Sequence, residues 1–248
     1  MKTFEGRIAV VTGAAQGIGY AIAQKLLEEK LSKLAILDWN GQVTASAETL
    51  KAVCPEAEIM AMQCDISDEE SVNTVFAKIE ETLGGVDILV NNAGITCDIM
   101  FHKMSFQEWD DVLRVNLYGT YHCCKAVIQG MRDRCYGRIV NISSTVAYGN
   151  AGQANYSATK GAIVSLTKTL AKEGARKNIT VNAVAPHAID TAMMRSVPPE
   201  FLGDLINNHA MKRLGKPEEV AALVAFLASE DASYVSGTHI DCSGADRT

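Results

Sequence analysis

The sequence predicts an α/β fold: a doubly wound, mostly parallel sheet with helices on both faces, built as one domain over residues 1–248. Three observations carry this. Short apolar runs recur along the chain, and they are apolar at successive positions, as strands covered on both faces require. Segments of helical period fill the gaps between them. No repeat or low-complexity tract breaks the strand–helix alternation, and elements alternating in this way assemble into a parallel sheet with helices on either side.

The elements follow in order. Residues 7–12 (RIAVVT) form a β-branched first strand. Residues 17–30 follow as a helix, with Ile18, Ala21, Ile22, Leu26 and Leu27 near helical spacing. Residues 34–38 (LAILD) and 59–63 are the next two strands. Residues 67–82 are helical; Ser67 is the expected N-cap, with Glu70 three positions on completing a capping box. Asp68 and Glu69 suit the positive end of that helix. Residues 87–91 (DILVN) are the fourth strand, and 105–134 hold two helices or one long bent one. Then come a strand at 138–143 (RIVNIS), a long helix at 155–175 and a strand at 178–183 (NITVNA). A helix at 217–229 opens with Pro217 in its first turn, and 238–242 is the last strand. Residues 185–214 break the rhythm with Pro186, Pro198, Pro199 and Gly203. They read as an inserted loop with short helices, a lid over a site at about 186–214.

Composition excludes several functions. The 248 residues carry 23 Lys and Arg against 29 Asp and Glu, a net charge of −6. Such a chain is a poor polyanion binder, so no nucleic-acid partner is expected. With 48% hydrophobic and 21% charged residues, it resembles an ordered globular protein. The longest strongly apolar stretch, 221–228, falls far short of the ~18 residues a membrane helix needs, so no membrane association is expected. Charges interrupt the N-terminus before any secretory apolar run develops. The seven cysteines are odd in number and hold no C-x-x-C pair. No disulfide framework or metal site is expected; reduced, buried thiols in a cytoplasmic protein are.

Chemistry concentrates at strand ends. The first strand runs into Gly13-Ala14-Ala15-Gln16-Gly17-Ile18-Gly19, spaced G-x-x-x-G-x-G, and then a helix. Glycines there let the backbone turn tightly and approach a pyrophosphate seated on the helix N-terminus. Asp38 ends the second strand; its carboxylate can accept from ribose hydroxyls and would repel a 2′-phosphate. No Lys or Arg stands in the glycine loop or just after Asp38. This pattern predicts NAD, with NADH preferred over NADPH. Asp65 could reach the adenine, and Asn92, Ala93 and Gly94 could line the nucleotide crevice.

Tyr156 and Lys160 stand four residues apart on one helix face. A Lys⁺ beside a tyrosine stabilises tyrosinate and is expected to lower its pKa, making Tyr156 a workable general acid/base. Ser144 or Ser143 can donate to a substrate oxygen. Asn116, a mediocre helix former inside a helical pattern, could hold a water linking Lys160 to solvent.

In combination these residues resemble the short-chain dehydrogenase/reductase family, of the type about 250 residues long. The likeness covers essentially the whole chain. It rests on the 12–19 loop, Asp65, the 91–94 run (NNAG), Asn116, the 141–144 run (NISS), the 156–160 run (YSATK) and the 182–186 run (NAVAP). The resemblance implies a seven-stranded Rossmann-type sheet and hydride transfer between nicotinamide and a secondary alcohol or ketone. It implies a catalytic set of Asn116, Ser144, Tyr156 and Lys160, with Tyr156 moving the proton and Lys160 also binding the nicotinamide ribose. The cofactor site it implies adds Trp39, Ile66, Pro186, Ile189 and Thr191 to Gly13, Gln16, Gly17, Ile18, Gly19, Asp38, Asp65, Asn92, Ala93, Gly94, Tyr156 and Lys160. Family members are commonly tetramers, so a homotetramer is expected, with the helices of 105–134 and 155–175 at one interface.

The chain departs from the family pattern in three places. The family's serine stands thirteen residues before the tyrosine; here that is Ser143, while Ser144 holds the strand register and is the expected catalytic serine. Pro186 is followed by His187 instead of glycine, and His187 is expected at the nicotinamide or substrate edge. The tail reads Asp241-Cys242-Ser243-Gly244-Ala245-Asp246 in place of a Gly-Gly pair.

The chain is most similar to bacterial 3-oxoacyl-[acyl-carrier-protein] reductases, through the 152–156 run (GQANY) and the 213–220 run (RLGKPEEV). Substrate contacts are expected from 95–101, 146–150 and the lid at 188–214, where Met193, Met194, Val197, Phe201 and Leu202 are apolar. The expected substrate is a small ketone or alcohol or an acyl thioester, with an acyl-carrier protein as a possible partner. Arg132, Arg134 and Lys177 could offer a basic rim for an acidic carrier, but solvated surface charge is the favoured reading. Asp38 weighs against biosynthetic NADPH use and opens an alternative, an NAD-dependent hydroxysteroid, hydroxyacid or polyol dehydrogenase. A remoter alternative is a cofactor-binding regulator without turnover, against which the complete catalytic set argues.

Overall fold

The computed structural model describes residues 3–195 and 199–245. Its seven strands are β1 (Ile8–Thr12), β2 (Lys33–Asp38), β3 (Glu58–Gln63), β4 (Ile88–Asn91), β5 (Gly137–Ile142), β6 (Ile179–Pro186) and β7 (His239–Cys242). All pair in parallel, in the order β3-β2-β1-β4-β5-β6-β7. The chain starts in the middle, winds outward to β3, then returns past β1 to β4 and winds the other way. The sheet's switch point therefore lies between β1 and β4, where a ligand crevice opens beyond the strands' carboxyl ends.

Two apolar layers hold the sheet. Along β1, Ala9 and Val11 face one layer and Val10 the other, as the two-residue strand period dictates. The first layer is closed by α1 (Gly17–Glu28), α2 (Val43–Lys51) and α9 (Pro217–Ala228), through Ile22, Leu26, Val43, Leu50, Val224 and Leu227. The second is closed by α3 (Glu69–Thr82) and α5 (Gly119–Arg134), through Val72, Phe76, Ile79, Cys123, Val127 and Met131. Both faces of the central strands are thus covered, which is why they read as unbroken apolar runs.

Local chemistry moved several boundaries. Asp68, not Ser67, caps α3: its carboxylate accepts from the Glu70 N–H at 3.1 Å, while Ser67 bonds back to Asp65. A capping box does form at α4 (Phe106–Leu113), between Ser105 and Glu108. Between α4 and α5 the helix does not break; residues 114–118 form one wide π turn holding Asn116. β6 begins after Asn178, whose φ of 52° makes it a turn residue, and runs to Pro186, where β7 pairs alongside it. The sheet therefore extends into the segment read as a loop. Beyond it lie α7 (Ala192–Arg195) and α8 (Pro199–Asn208), and α6 (Ala154–Gly174) packs under the other end of the site. Val197, Pro198, Asp246 and the side chains of Met193, Pro199 and Phe201 lie outside the described residues. The seven cysteines are free, but they are not uniformly buried: Cys135 is exposed. Among the described residues no helix is long and apolar enough to cross a membrane, and no cluster of His, Cys, Asp or Glu could hold a metal ion.

Candidate active site

A cleft of about 520 Å³ opens at the switch point, within the size range of small-molecule sites. The glycine loop forms its floor. Asn92 Nδ2 donates to the Thr12 and Gly13 carbonyls, both at 3.0 Å, and Thr12 Oγ1 accepts from the Asn92 and Ala93 N–H groups at 3.1 Å. The ends of β1 and β4 are thereby locked together. Gly13 holds φ +63°, and a Cβ there would stand 2.8 Å from Ala93 Cα; one on Gly19 would stand 2.2 Å from the Gly13 carbonyl oxygen. At these two positions the loop is folded too tightly for a side chain. No side chain caps the N-terminus of α1, so its first N–H groups are left for a ligand anion.

Asp38 closes the far end. Its Oδ2 accepts from the Ala15 N–H and its Oδ1 from the Asn40 N–H, both at 3.0 Å. Each oxygen keeps a lone pair for a ligand hydroxyl. Trp39, Asp65 and Ile66 line this end, with Asp65 held by the Ser67 N–H and hydroxyl at 2.9 and 2.7 Å. Among the described lining residues the only cation is Lys160.

At the other end Tyr156 and Lys160 rise from α6. Lys160 is buried, and its Nζ donates to the Ile142 carbonyl at 2.7 Å, 5.4 Å from the centre of the Tyr156 ring. Burial pushes the Lys160 ammonium down to about 8. Burial also pushes the Tyr156 hydroxyl up to about 12; a hydrogen bond from Ser144 eases the rise and the nearby Asp98 carboxylate adds to it. The tyrosine pKa, expected to be lowered, is therefore raised in net. In this structure desolvation dominates, and the ammonium is anchored on the Ile142 carbonyl.

The two serines part company. Ser143 is buried and donates to the Lys160 carbonyl at 3.0 Å, whereas Ser144 meets Tyr156. Asn116 is fully buried; its amide accepts from the Ile95 N–H at 2.8 Å and donates to the Ile95 carbonyl at 2.9 Å. It clamps the loop after β4. Gly94 separates the two: a Cβ there would meet Asn116 Oδ1 at 3.1 Å and Lys160 Nζ at 3.6 Å.

Gly13, Gln16, Gly17, Ile18, Asp38, Trp39, Asp65, Ile66, Asn92, Ala93, Gly94, Tyr156, Lys160 and Thr191 all line the cleft. Gly19, Pro186 and Ile189 do not. Gly19 lies beneath the Gly13 carbonyl, Pro186 is buried in β6 beside β7, and Ile189 packs on Gly215. Leu37, Cys64, Ile142 and Val115 line it without having been singled out. The first three adjoin or end recognised strands, which is the signal that could have found them. His187 turns away from the cleft into a second cavity of about 240 Å³, stacked on His209. Arg132 and Arg134 do not rim this cleft, in keeping with surface charge. Arg134 donates to the Val86 carbonyl and Arg132 to that of Glu173, at the strands' amino ends, opposite the cleft.

A family model described as Enoyl-(Acyl carrier protein) reductase matches residues 13–244. An acetoacetyl-CoA reductase of Rhizobium meliloti is 45% identical over 240 residues, 96% of this chain and 97% of that protein. A 3-oxoacyl-[acyl-carrier-protein] reductase of Haemophilus influenzae is 41% identical over 241 residues, 97% of this chain and 98% of that protein. Among solved structures, a 3-oxoacyl-[acyl-carrier protein] reductase from Brucella melitensis superposes with a TM-score of 0.91 at 36% identity, covering 98% of this chain and 91% of that one. Levodione reductase does so with a TM-score of 0.93 at 33% identity, covering 97% of each chain.

Proposed function

The chain belongs to the short-chain dehydrogenase/reductase family, and we propose that it is an NADH-preferring reductase of 3-oxoacyl thioesters. The observation that carries the reading is Tyr156 with Lys160 beside it lining one end of a cleft whose other end is closed by Asp38. The capless α1 N-terminus and the glycine floor fit a pyrophosphate. Asp38, with no cation beside it in the described wall, fits free ribose hydroxyls rather than a 2′-phosphate. A bound nicotinamide dinucleotide supplies the hydride.

The protein's own groups do the rest. Ser144 holds the substrate oxygen by a hydrogen bond that strengthens as charge develops there. Tyr156, protonated with a pKa near 12, donates its proton to that oxygen. Lys160, buried beneath, supplies positive charge against the tyrosinate that results. Asn116 holds the loop carrying Ile95 beside them.

Relatives named for acetoacetyl-CoA and 3-oxoacyl-carrier substrates support a thioester here. An acyl-carrier protein remains a candidate partner, docking at the cleft mouth and not on Arg132 and Arg134. Exposed Phe106, Tyr118 and Tyr121 along α4 and α5 support a homotetramer, which light scattering would test. The free thiols support a cytoplasmic setting.

The test is NADH oxidation with an acetoacetyl thioester, with Tyr156→Phe as the blank and NADPH as comparison. Turnover lost in the variant and faster with NADH supports the reading. Absence of turnover with NADH still bound overturns it and directs the search to hydroxysteroids, hydroxyacids and polyols with NAD⁺.

A further inference from the structure

Ser144 stands at the end of β5 and is the residue expected to hold the substrate oxygen. Its own hydroxyl reaches the Pro186 carbonyl at 3.4 Å, a long and weak contact. The next residue is held far better. Thr145, itself buried, places Oγ1 2.8 Å from His187 Nδ1. Residues 144 and 145 are thus tied to residues 186 and 187 by two adjacent cross-links between the ends of β5 and β6, of which the second is the short one.

The His187 ring is itself fixed. It stacks on His209 with centroids 5.4 Å apart and planes 29° apart. His209 is buried at the end of α8; its backbone N–H donates to the Leu205 carbonyl at 3.0 Å and its Nδ1 accepts from the Met211 N–H at 3.2 Å. The His187 backbone N–H donates to the Cys242 carbonyl at 3.3 Å. A side chain held at backbone, ring face and Nδ1 has one orientation, and its partner threonine adjoins the serine.

We propose that His187 is a positioning residue: its hydrogen bond to Thr145 sets the 144–145 turn, and with it the direction of the Ser144 hydroxyl toward Tyr156. A glycine at this position could make no such bond. The inference rests on the reading of Ser144 and Tyr156 given above, but not on the identity of the ketone.

The test uses the full-length chain with His187→Gly, His187→Asn, Thr145→Val, the His187→Gly/Thr145→Val double variant and Ser144→Ala. kcat and KM are measured with an acetoacetyl thioester and NADH, and NADH affinity by fluorescence. If the wild type ignores the thioester, that reading fails alone, and the same variants are assayed on the first ketone whose reduction Tyr156→Phe abolishes. His187→Gly and Thr145→Val should each lower kcat by about tenfold, with NADH affinity unchanged. The double variant should be no slower than either single one, because both remove the same bond. His187→Asn should recover to within about threefold, since its amide nitrogen stands where ring Nδ1 stood. The inference is overturned if His187→Gly keeps its kcat, if the two losses multiply, or if His187→Asn is as slow as His187→Gly. Full turnover in Ser144→Ala overturns the serine's role and the inference with it.

Discussion

Ser143 and Ser144 are neighbours at the end of β5, yet their hydroxyls serve different partners: Ser143 donates to the Lys160 carbonyl at 3.0 Å, and Ser144 meets the Tyr156 hydroxyl. Strand alternation sends consecutive side chains to opposite sides, so one serine braces α6 while the other faces the reacting groups. Ser144→Ala should cut kcat by about 10²–10³, the usual loss for one donor to a developing oxyanion. Ser143→Ala should leave turnover within a few-fold and cost about 1 kcal/mol of stability for one buried hydrogen bond. Steady-state kinetics and urea denaturation separate the two.

The pH profile follows from burial. kcat/KM reports the free enzyme, whose Lys160 is held near 8 and Tyr156 near 12. A depressed lysine pKa means the ammonium is lost as pH rises through about 8, so kcat/KM for reduction should fall there while Tyr156 stays protonated. Of these two groups Asp98 acts on the tyrosine, raising its pKa, and not on the lysine. Asp98→Asn should therefore move the rise of alcohol oxidation, which needs tyrosinate, to lower pH. The limb near 8 in reduction should stay in place. A pH series in both directions checks this.

The sheet was legible because its strands are buried on both faces and announce themselves as apolar runs; β1, β2, β4 and β5 needed no more than that. The cleft was legible because its parts sit at strand ends, as Gly13, Asp38, Asp65 and Asn92 do. What escaped depends on which of two adjacent polar residues turns inward. Asp68 rather than Ser67 caps α3, and nothing in the order Ser-Asp-Glu-Glu decides between them. α2 carries Thr44, Ser46 and Thr49, residues that blur a helical pattern. His187 could not be placed from sequence, because its direction is set by Thr145 and His209, which are distant in the chain. The raised tyrosine pKa is hidden from the sequence for a related reason: four-residue spacing brings Lys160 close, but spacing alone does not reveal the desolvation of the Tyr156 hydroxyl.

Asp38 should decide between the two nicotinamide dinucleotides. Hydrogen bonds to a charged group contribute about 1.5–3 kcal/mol, roughly 10- to 100-fold in affinity. Asp38→Ser removes the charge but keeps an acceptor for the Asn40 N–H, which Asp38 now binds at 3.0 Å. The ratio of kcat/KM for NADH over NADPH should drop by that factor, mostly through KM for NADH. An unchanged ratio would show that Asp38 is only a turn brace.

The glycine loop offers a purely steric test. A Cβ on Gly19 would stand 2.2 Å from the Gly13 carbonyl oxygen and 2.5 Å from Asn92 Nδ2. The Asn92 amide is already committed to the Thr12 and Gly13 carbonyls, so it cannot retreat without releasing β1 from β4. Gly19→Ala should therefore displace the cleft floor, costing about 1–3 kcal/mol as overpacking does. It should weaken NADH binding although residue 19 does not itself line the cleft. Gly41→Ala is the control, because a Cβ there meets nothing within 4 Å. Thermal melting with NADH titration should show both losses in the first variant and neither in the second. Normal NADH affinity in Gly19→Ala would mean that the loop's tight fold is not what shapes the site.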